Sequence, residues 1–142
     1  MAAAHEGRSL YIKEIAHFCR ANAEPDSIRI IEGVGGVMVP LTDKETVLDL
    51  MVEVDAPVLL VVGSYLGTLS HTLTALQAVR GRGLMVAGIV ISESLDNPVA
   101  LSETRVTLSR FTGDIPVIAL PRLASPGGDP GTPAIATEIG LL

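Results

Sequence analysis

The stretch Pro57-Val58-Leu59-Leu60-Val61-Val62-Gly63-Ser64-Tyr65-Leu66-Gly67-Thr68-Leu69-Ser70-His71 decides the fold. Its first six residues form a continuous apolar run ended by Gly63, the mark of a strand buried inside a sheet. From Thr68 to Arg80 the pattern turns helical, and Gly81-Arg82-Gly83 supplies the stop signal. A strand leading straight into a helix is the repeating unit of a parallel sheet. Outward from this unit the alternation returns. Downstream, Val86 to Ile91 reads as a strand, Val99 to Phe111 as a helix and Pro116 to Leu120 as a strand. Ser125 to Pro133 is rich in Pro and Gly and reads as loop before a short tail. Upstream, Arg8 to Ala23 reads as a helix, with Leu10, Ile12, Ile15, Ala16, Phe18 and Cys19 at three- and four-residue steps and Pro25 just beyond. Ser27 to Ile31 is a short β-rich run, and Thr46 to Val54 is helical with Thr42 or Asp43 as candidate caps. The order predicts one α/β domain over residues 1–142, an open, mostly parallel sheet with helices on both faces. One feature is odd. The first element is a helix, where folds of this type usually open with a phosphate-binding strand, so the sequence reads as if it begins in the middle.

The composition agrees with a packed domain. The 142 residues are 48% apolar and 18% charged, and a chain of this size buries roughly 70% of its unfolded surface. A net charge of −6 and a pI near 4.9 argue against nucleic acid, which asks for a basic stripe along its phosphates. The four aromatics, Tyr11, Phe18, Tyr65 and Phe111, are too few for a base-stacking platform. The single cysteine, Cys19, excludes an intrachain disulfide and any multi-cysteine zinc site, and fits the cytoplasm. Cys19 falls on the apolar face of the first helix, where packing is the expected role. Mean hydropathy is high at +0.47, but Ala56 to Val62 and Leu84 to Ile91 are far shorter than the ~20 residues of a membrane span. The opening Met1-Ala2-Ala3-Ala4-His5-Glu6 lacks the basic and apolar regions of a signal peptide. The apolar surplus therefore points to strands buried on both faces, or to apolar surface covered by something else.

Two segments carry chemistry. In Ile28-Arg29-Ile30-Ile31-Glu32-Gly33-Val34-Gly35-Gly36 a strand would deliver Glu32 to the carboxyl edge of the sheet, where open α/β folds bind ligands. The glycines would let backbone N–H groups approach an anion, and one carboxylate beside phosphate is a usual way to hold Mg²⁺. The same residues also read as a glycine-rich turn with a solvated Glu32. In Gly63 to His71 the free N–H groups near Thr68, Leu69 and Ser70 would form an anion site. Ordinary N-capping by Ser64, Thr68 or Ser70 is the plainer reading. His71, His17 and His5 have no partners at metal-ligand spacing. No Gly-x-x-x-x-Gly-Lys-Ser/Thr occurs, and neither Lys13 nor Lys44 suits a phosphate loop. Gly33-Val34-Gly35-Gly36-Val37-Met38 fails the dinucleotide fingerprint at its last position, and no Gly-x-Ser-x-Gly elbow exists.

Taken together, these segments resemble the dethiobiotin synthetase family. Glu32-Gly33-Val34-Gly35-Gly36-Val37-Met38-Val39-Pro40-Leu41 is similar to its Glu-Gly-Ala-Gly-Gly-x-x-x-Pro-Leu signature. Leu59 to His71 resembles its Val-Val-Gly-x-x-Leu-Gly-x-Ile-Asn-His stretch. Gly83 to Gly88 resembles its next strand, Leu120-Pro121-Arg122-Leu123 its late nucleotide-edge loop, and Ala2 to Arg8 the segment before its mid-chain helix. The resemblance covers essentially the whole chain, as the C-terminal two-thirds of such a protein. Glu-Gly-Ala-Gly-Gly alone also occurs in related amidotransferase-type cobalamin enzymes.

The resemblance implies a P-loop NTPase-like fold whose N-terminal strand and phosphate loop are not in this sequence. It implies ATP- and Mg²⁺-dependent carboxylation of 7,8-diaminononanoate with CO₂ (supplied as bicarbonate), activation as a mixed phosphate anhydride, and closure of the ureido ring. By position, Glu32 would bind Mg²⁺, and Glu32, Gly33, Val34 and Gly35 would lie at the ATP phosphates. Ser92 and Glu93, with Pro121, Arg122 and Leu123, would surround the adenine. Gly67, Thr68, Leu69 and Ser70 would receive the substrate's carboxylate tail across a homodimer interface. Ser92 and Ser70 stand where members carry asparagine, which bears on base selectivity and tail binding. The catalytic lysine, the phosphate-loop lysine and a second metal-binding aspartate have no counterpart here. Three lost phosphate contacts remove about 5–9 kcal/mol, as much as a micromolar affinity contains, so the chain alone is expected to be inactive. Two other readings stay open: a partner-dependent interaction module of the same fold, and a related ATP-dependent amidotransferase-type ligase domain.

Overall fold

The structure, a computed structural model, describes residues 2–21, 27–123 and 134–141. They fall into two compact units, residues 1–56 and 57–142.

In the first unit a single turn, α1 (Ala2–His5), precedes α2 (Ile12–Arg20) and α3 (Val47–Val54). The periodic residues of α2 sort themselves by angle. Ala16 is fully buried, Ile12, Ile15 and Cys19 are half-buried, and Phe18 points away at 77% exposure. The stripe at i, i+3, i+4 and i+7 is thus the packing face, laid against α3. The helix is shorter than the expected Arg8–Ala23; it starts at Ile12, and Ala23 lies outside the described residues. Two arginines serve the carbonyls left over at helix ends. Arg20 donates to the Glu53 carbonyl in the last turn of α3, and Arg29 donates to the carbonyls of Cys19 (2.9 Å) and Ala21 where α2 stops.

The start of α3 corrects the expected cap. Thr46, not Thr42 or Asp43, precedes the helix: its hydroxyl accepts the Asp49 N–H, and Asp49 accepts the Thr46 N–H at 2.8 Å, a complete capping box. Thr42 instead organises the preceding turn, its Oγ1 accepting the Glu45 N–H at 3.0 Å. The run Ser27–Ile31 also departs from expectation, because it is not a strand. A strand exists only through a ladder with a neighbour, and no described residue pairs with this segment. Ile28, Ile30 and Ile31 are exposed.

The second unit is a three-stranded parallel sheet in the order β1 (Val58–Gly63), β2 (Val86–Ser92), β3 (Val117–Leu120). The crossovers are α4 (Thr68–Gly81) and α5 (Leu101–Thr112), and α6 (Ile135–Glu138) follows β3. Right-handed crossovers between sequential strands place α4 and α5 on one face, where they touch each other. Their inward residues, Thr68, Thr72, Leu76 and Val79 on α4 and Thr104, Leu108 and Thr112 on α5, are buried. The opposite face is reached by the turn after α6: a Cβ on Gly88 would come within 2.7 Å of Ile139 Cγ2 and 3.3 Å of Leu59 Cδ1. The open parallel sheet with helical cover is therefore as expected. Burial on both faces holds for β2, where Ile89, Val90 and Ile91 are all buried. It fails for β1, where Val58 and Leu60 are buried but Leu59 and Val61 are exposed. The Pro- and Gly-rich Ser125–Pro133, expected as loop, lies outside the described residues.

Candidate functional site

The ends of the three strands meet at one level. Gly63 pairs with Ser92, and Ser92 with Leu120, so the loops after all three strands leave the same carboxyl edge. This edge is where an open α/β sheet offers its ligand crevice. It gathers most of the residues singled out in the sequence: the turn Gly67–Ser70, the pair Ser92 and Glu93, and Pro121, Arg122 and Leu123.

The turn before α4 is built by its glycine. Gly67 is the cap residue at φ 97°, a conformation that L side chains rarely adopt, and it has no side-chain cap. The expected capping by Ser64, Thr68 or Ser70 is not found. The Thr68 hydroxyl turns back to donate to the Gly63 carbonyl, and the Thr68 N–H donates to the Tyr65 carbonyl at 3.0 Å. The N–H groups of Leu69 and Ser70 have no acceptor among the described residues and lie at the exposed helix start. Contrast α3, whose first three N–H groups are taken by the Val39 carbonyl, the Val37 carbonyl and the Thr46 side chain. Of these two helices, α4 is the one whose first turn stays open to an anion. Tyr65 and His71 bracket it, Tyr65 Oη lying 3.0 Å from His71 Nδ1.

At the other end of the edge, Ser92 closes β2 and is half-buried. The Glu93 N–H donates to the Leu120 carbonyl at 3.0 Å, and its carboxylate accepts the Arg122 N–H at 3.0 Å. Pro121, Arg122 and Leu123 are exposed. Ser64 and Ser94 tie this end to the first: each accepts the other's N–H, at 2.9 and 3.0 Å. Sequence reading missed this pair, because partners thirty residues apart leave no local pattern.

Glu32, Gly33, Val34 and Gly35 belong to the first unit and are exposed. Since Ser27–Ile31 forms no ladder, Glu32 does not end a strand as expected. Its carboxylate has no hydrogen bond or ion pair among the described residues. Gly35 sits at φ 77° in a turn so tight that a Cβ would come within 2.7 Å of Val39 Cγ2. No group of three His, Cys, Asp or Glu residues able to hold a metal occurs among the described residues. A groove of about 400 Å³ between α4 and α5, lined by Leu76, Arg80 and Phe111 among others, lies toward the far end of α4 from the open turn.

Residues 1–125 match the family model described as AAA domain. The chain belongs to this family. Its curated relatives include proteins named ATP-dependent dethiobiotin synthetase. One from a Caulobacter species is 48% identical over 124 residues, covering 86% of this chain and 54% of that protein. One from Caulobacter vibrioides is 48% identical, covering 86% and 56%. One from Acidiphilium cryptum is 42% identical over 120 residues, covering 82% and 52%. The resemblance read from the motifs is thus borne out, and the chain spans about half the length of the curated relatives it matches.

Proposed function

We propose that this chain is the part of an ATP-dependent dethiobiotin synthetase that carries the substrate-tail turn, the adenine edge and one metal-binding carboxylate. The reaction is carboxylation of 7,8-diaminononanoate by CO₂ and ATP-driven closure of the ureido ring. The observation that carries this reading is 48% identity across 86% of the chain to proteins of that name. The family model runs unbroken through residues 1–125, which supports one domain spanning both units.

Each role is the one the family resemblance implies, and the local chemistry suits it. The open amides of Leu69 and Ser70, with Gly67 and Thr68 shaping the turn, suit a carboxylate tail, with a second copy of the chain completing the site in a homodimer. Ser92, Pro121, Arg122 and Leu123 suit the rim of the adenine. Glu93 serves that rim through the Arg122 amide, because its carboxylate is already engaged there. Gly33, Val34 and Gly35 offer backbone N–H groups to phosphate. Glu32, exposed and without a partner among the described residues, fits Mg²⁺, which takes one or two carboxylates plus substrate phosphates. When bound, the ion would neutralise phosphate charge. The protein works in the cytoplasm in this reading, and no helix among the described residues is long and apolar enough to cross a membrane.

The test is synthesis of dethiobiotin from diaminononanoate, bicarbonate and Mg²⁺-ATP, by the protein at the length its source makes and by residues 1–142 alone. Product from the first and none from the second is expected, since no phosphate-loop lysine occurs in these 142 residues. No product from the first, with turnover of a different carboxylate, overturns the reading.

A further inference from the structure

Ser64 and Ser94 have no ligand role above, yet they link two loops of the binding edge through a reciprocal pair of hydrogen bonds. The Ser64 N–H donates to Ser94 Oγ at 3.0 Å and the Ser94 N–H donates to Ser64 Oγ at 2.9 Å. Ser64 is only 2% exposed. The approach is close enough that a Cβ on Gly63 would lie 2.8 Å from Ser94 Oγ, so the absence of a side chain at Gly63 admits the second loop. From this clasp the bonding continues both ways. On one side the Gly63 carbonyl accepts the Thr68 hydroxyl, in the first turn of α4. On the other, Glu93 holds the Leu120 carbonyl and the Arg122 amide.

Loops leaving adjacent strands are otherwise fixed only at their roots, and are free to shift independently. A reciprocal pair makes any relative shift break two hydrogen bonds at once and leaves a buried amide unsatisfied. We infer that Ser64 and Ser94 are a positioning pair that fixes the Gly67–Ser70 turn against the Ser92–Leu123 rim, so that a ligand filling one half changes the affinity of the other. The inference rests on the proposed function, in which the two halves bind different ligands of one reaction. Coupling of this kind is reciprocal: each ligand alters the other's affinity by the same factor.

The test uses Ser64→Ala, Ser94→Ala, the double variant and Ser94→Thr, in the protein at the length its source makes. Diaminononanoate binding is measured by calorimetry with and without a non-hydrolysable ATP analogue. A coupling factor of at least about fivefold is expected in the parent protein. It should fall below about twofold in either alanine variant, fall no further in the double variant, and return in Ser94→Thr, which keeps the hydroxyl. Unchanged coupling in Ser94→Ala overturns the inference. A ligand-free readout stands beside it: in Ser94→Ala the amide resonances and hydrogen exchange of Leu69 and Ser70, on the other loop, should change. If they do not, the clasp does not position the turn, whatever binds. Failure of the parent protein to bind either ligand would count against the proposed function instead, and the amide measurement still decides the clasp.

Discussion

The Glu93 carboxylate holds the main chain of Arg122, its Oε2 accepting the Arg122 N–H at 3.0 Å. The acidic side chain at this end of the carboxyl edge, the proposed adenine rim, is thereby spent on the protein rather than offered to a ligand. Glu93→Ala should weaken ATP binding by roughly 1 kcal/mol, about fivefold, the partly exposed position bringing this bond down from the range of a charged acceptor to that of an ordinary hydrogen bond. Glu93→Gln keeps an acceptor oxygen and should lose less than half of that. Calorimetric titration of both variants with ATP checks the order.

Glu32 is exposed and has no hydrogen bond or ion pair among the described residues. Glu32→Gln should leave thermal stability within about 0.5 kcal/mol of the parent, as surface substitutions do, while severely cutting dethiobiotin synthesis. A melting curve beside a turnover assay separates the two. Full turnover in the variant sinks the metal role.

Thr46 starts α3 through a complete capping box. Thr46→Ala should cost about 1 kcal/mol in urea denaturation, whereas Thr46→Ser, which keeps the hydroxyl, should cost only a few tenths. Thr42→Ala should leave the start of α3 intact, because the Thr42 hydroxyl serves the turn before it.

Buried Thr72, at 1% exposure, has a hydroxyl with no hydrogen-bond partner among the described residues. Thr72→Val keeps the shape and removes the unsatisfied oxygen. It should stabilise the protein by about 1 kcal/mol, the lower end of the cost of an unpaired buried group, and raise Tm by roughly 3 °C. A lowered Tm would mean that the hydroxyl is satisfied in solution.

Leu108 is fully buried where α5 packs. Leu108→Ala should cost about 2–5 kcal/mol, read from a chemical denaturation midpoint, because a rigid neighbourhood only partly fills the cavity.

How far these features could be read beforehand depended on how local their causes are. The strands at Val58, Val86 and Val117 were legible because parallel strands carry continuous apolar runs. Ser27–Ile31 is β-rich, although Ser27 and Arg29 break its apolar run, and what it lacks among the described residues is a neighbour to pair with, which no window of sequence can supply. The cap of α3 was legible in principle, since Thr46 with Asp49 three residues on is a capping-box spacing, but Thr42 and Asp43 just before it are cap-forming residues as well. The turn before α4 was legible from Gly67 onward, since a glycine between a strand and a helix marks the position that needs a left-handed backbone. The Ser64–Ser94 clasp was not, since each serine alone looks like any loop serine.

The backbone at Gly67 also says something about inheritance. At φ 97° the position disfavours every residue with a Cβ, and any missense change to a glycine codon brings one in. Although a Cβ there would have room, its nearest neighbour being His71 Cε1 at 3.6 Å, space is not what it lacks. A saturation library at this codon should therefore rank its survivors by tolerance of the left-handed backbone, with Asn and Asp ahead of Ala and the β-branched residues last. The smallest side chain would not be the mildest replacement.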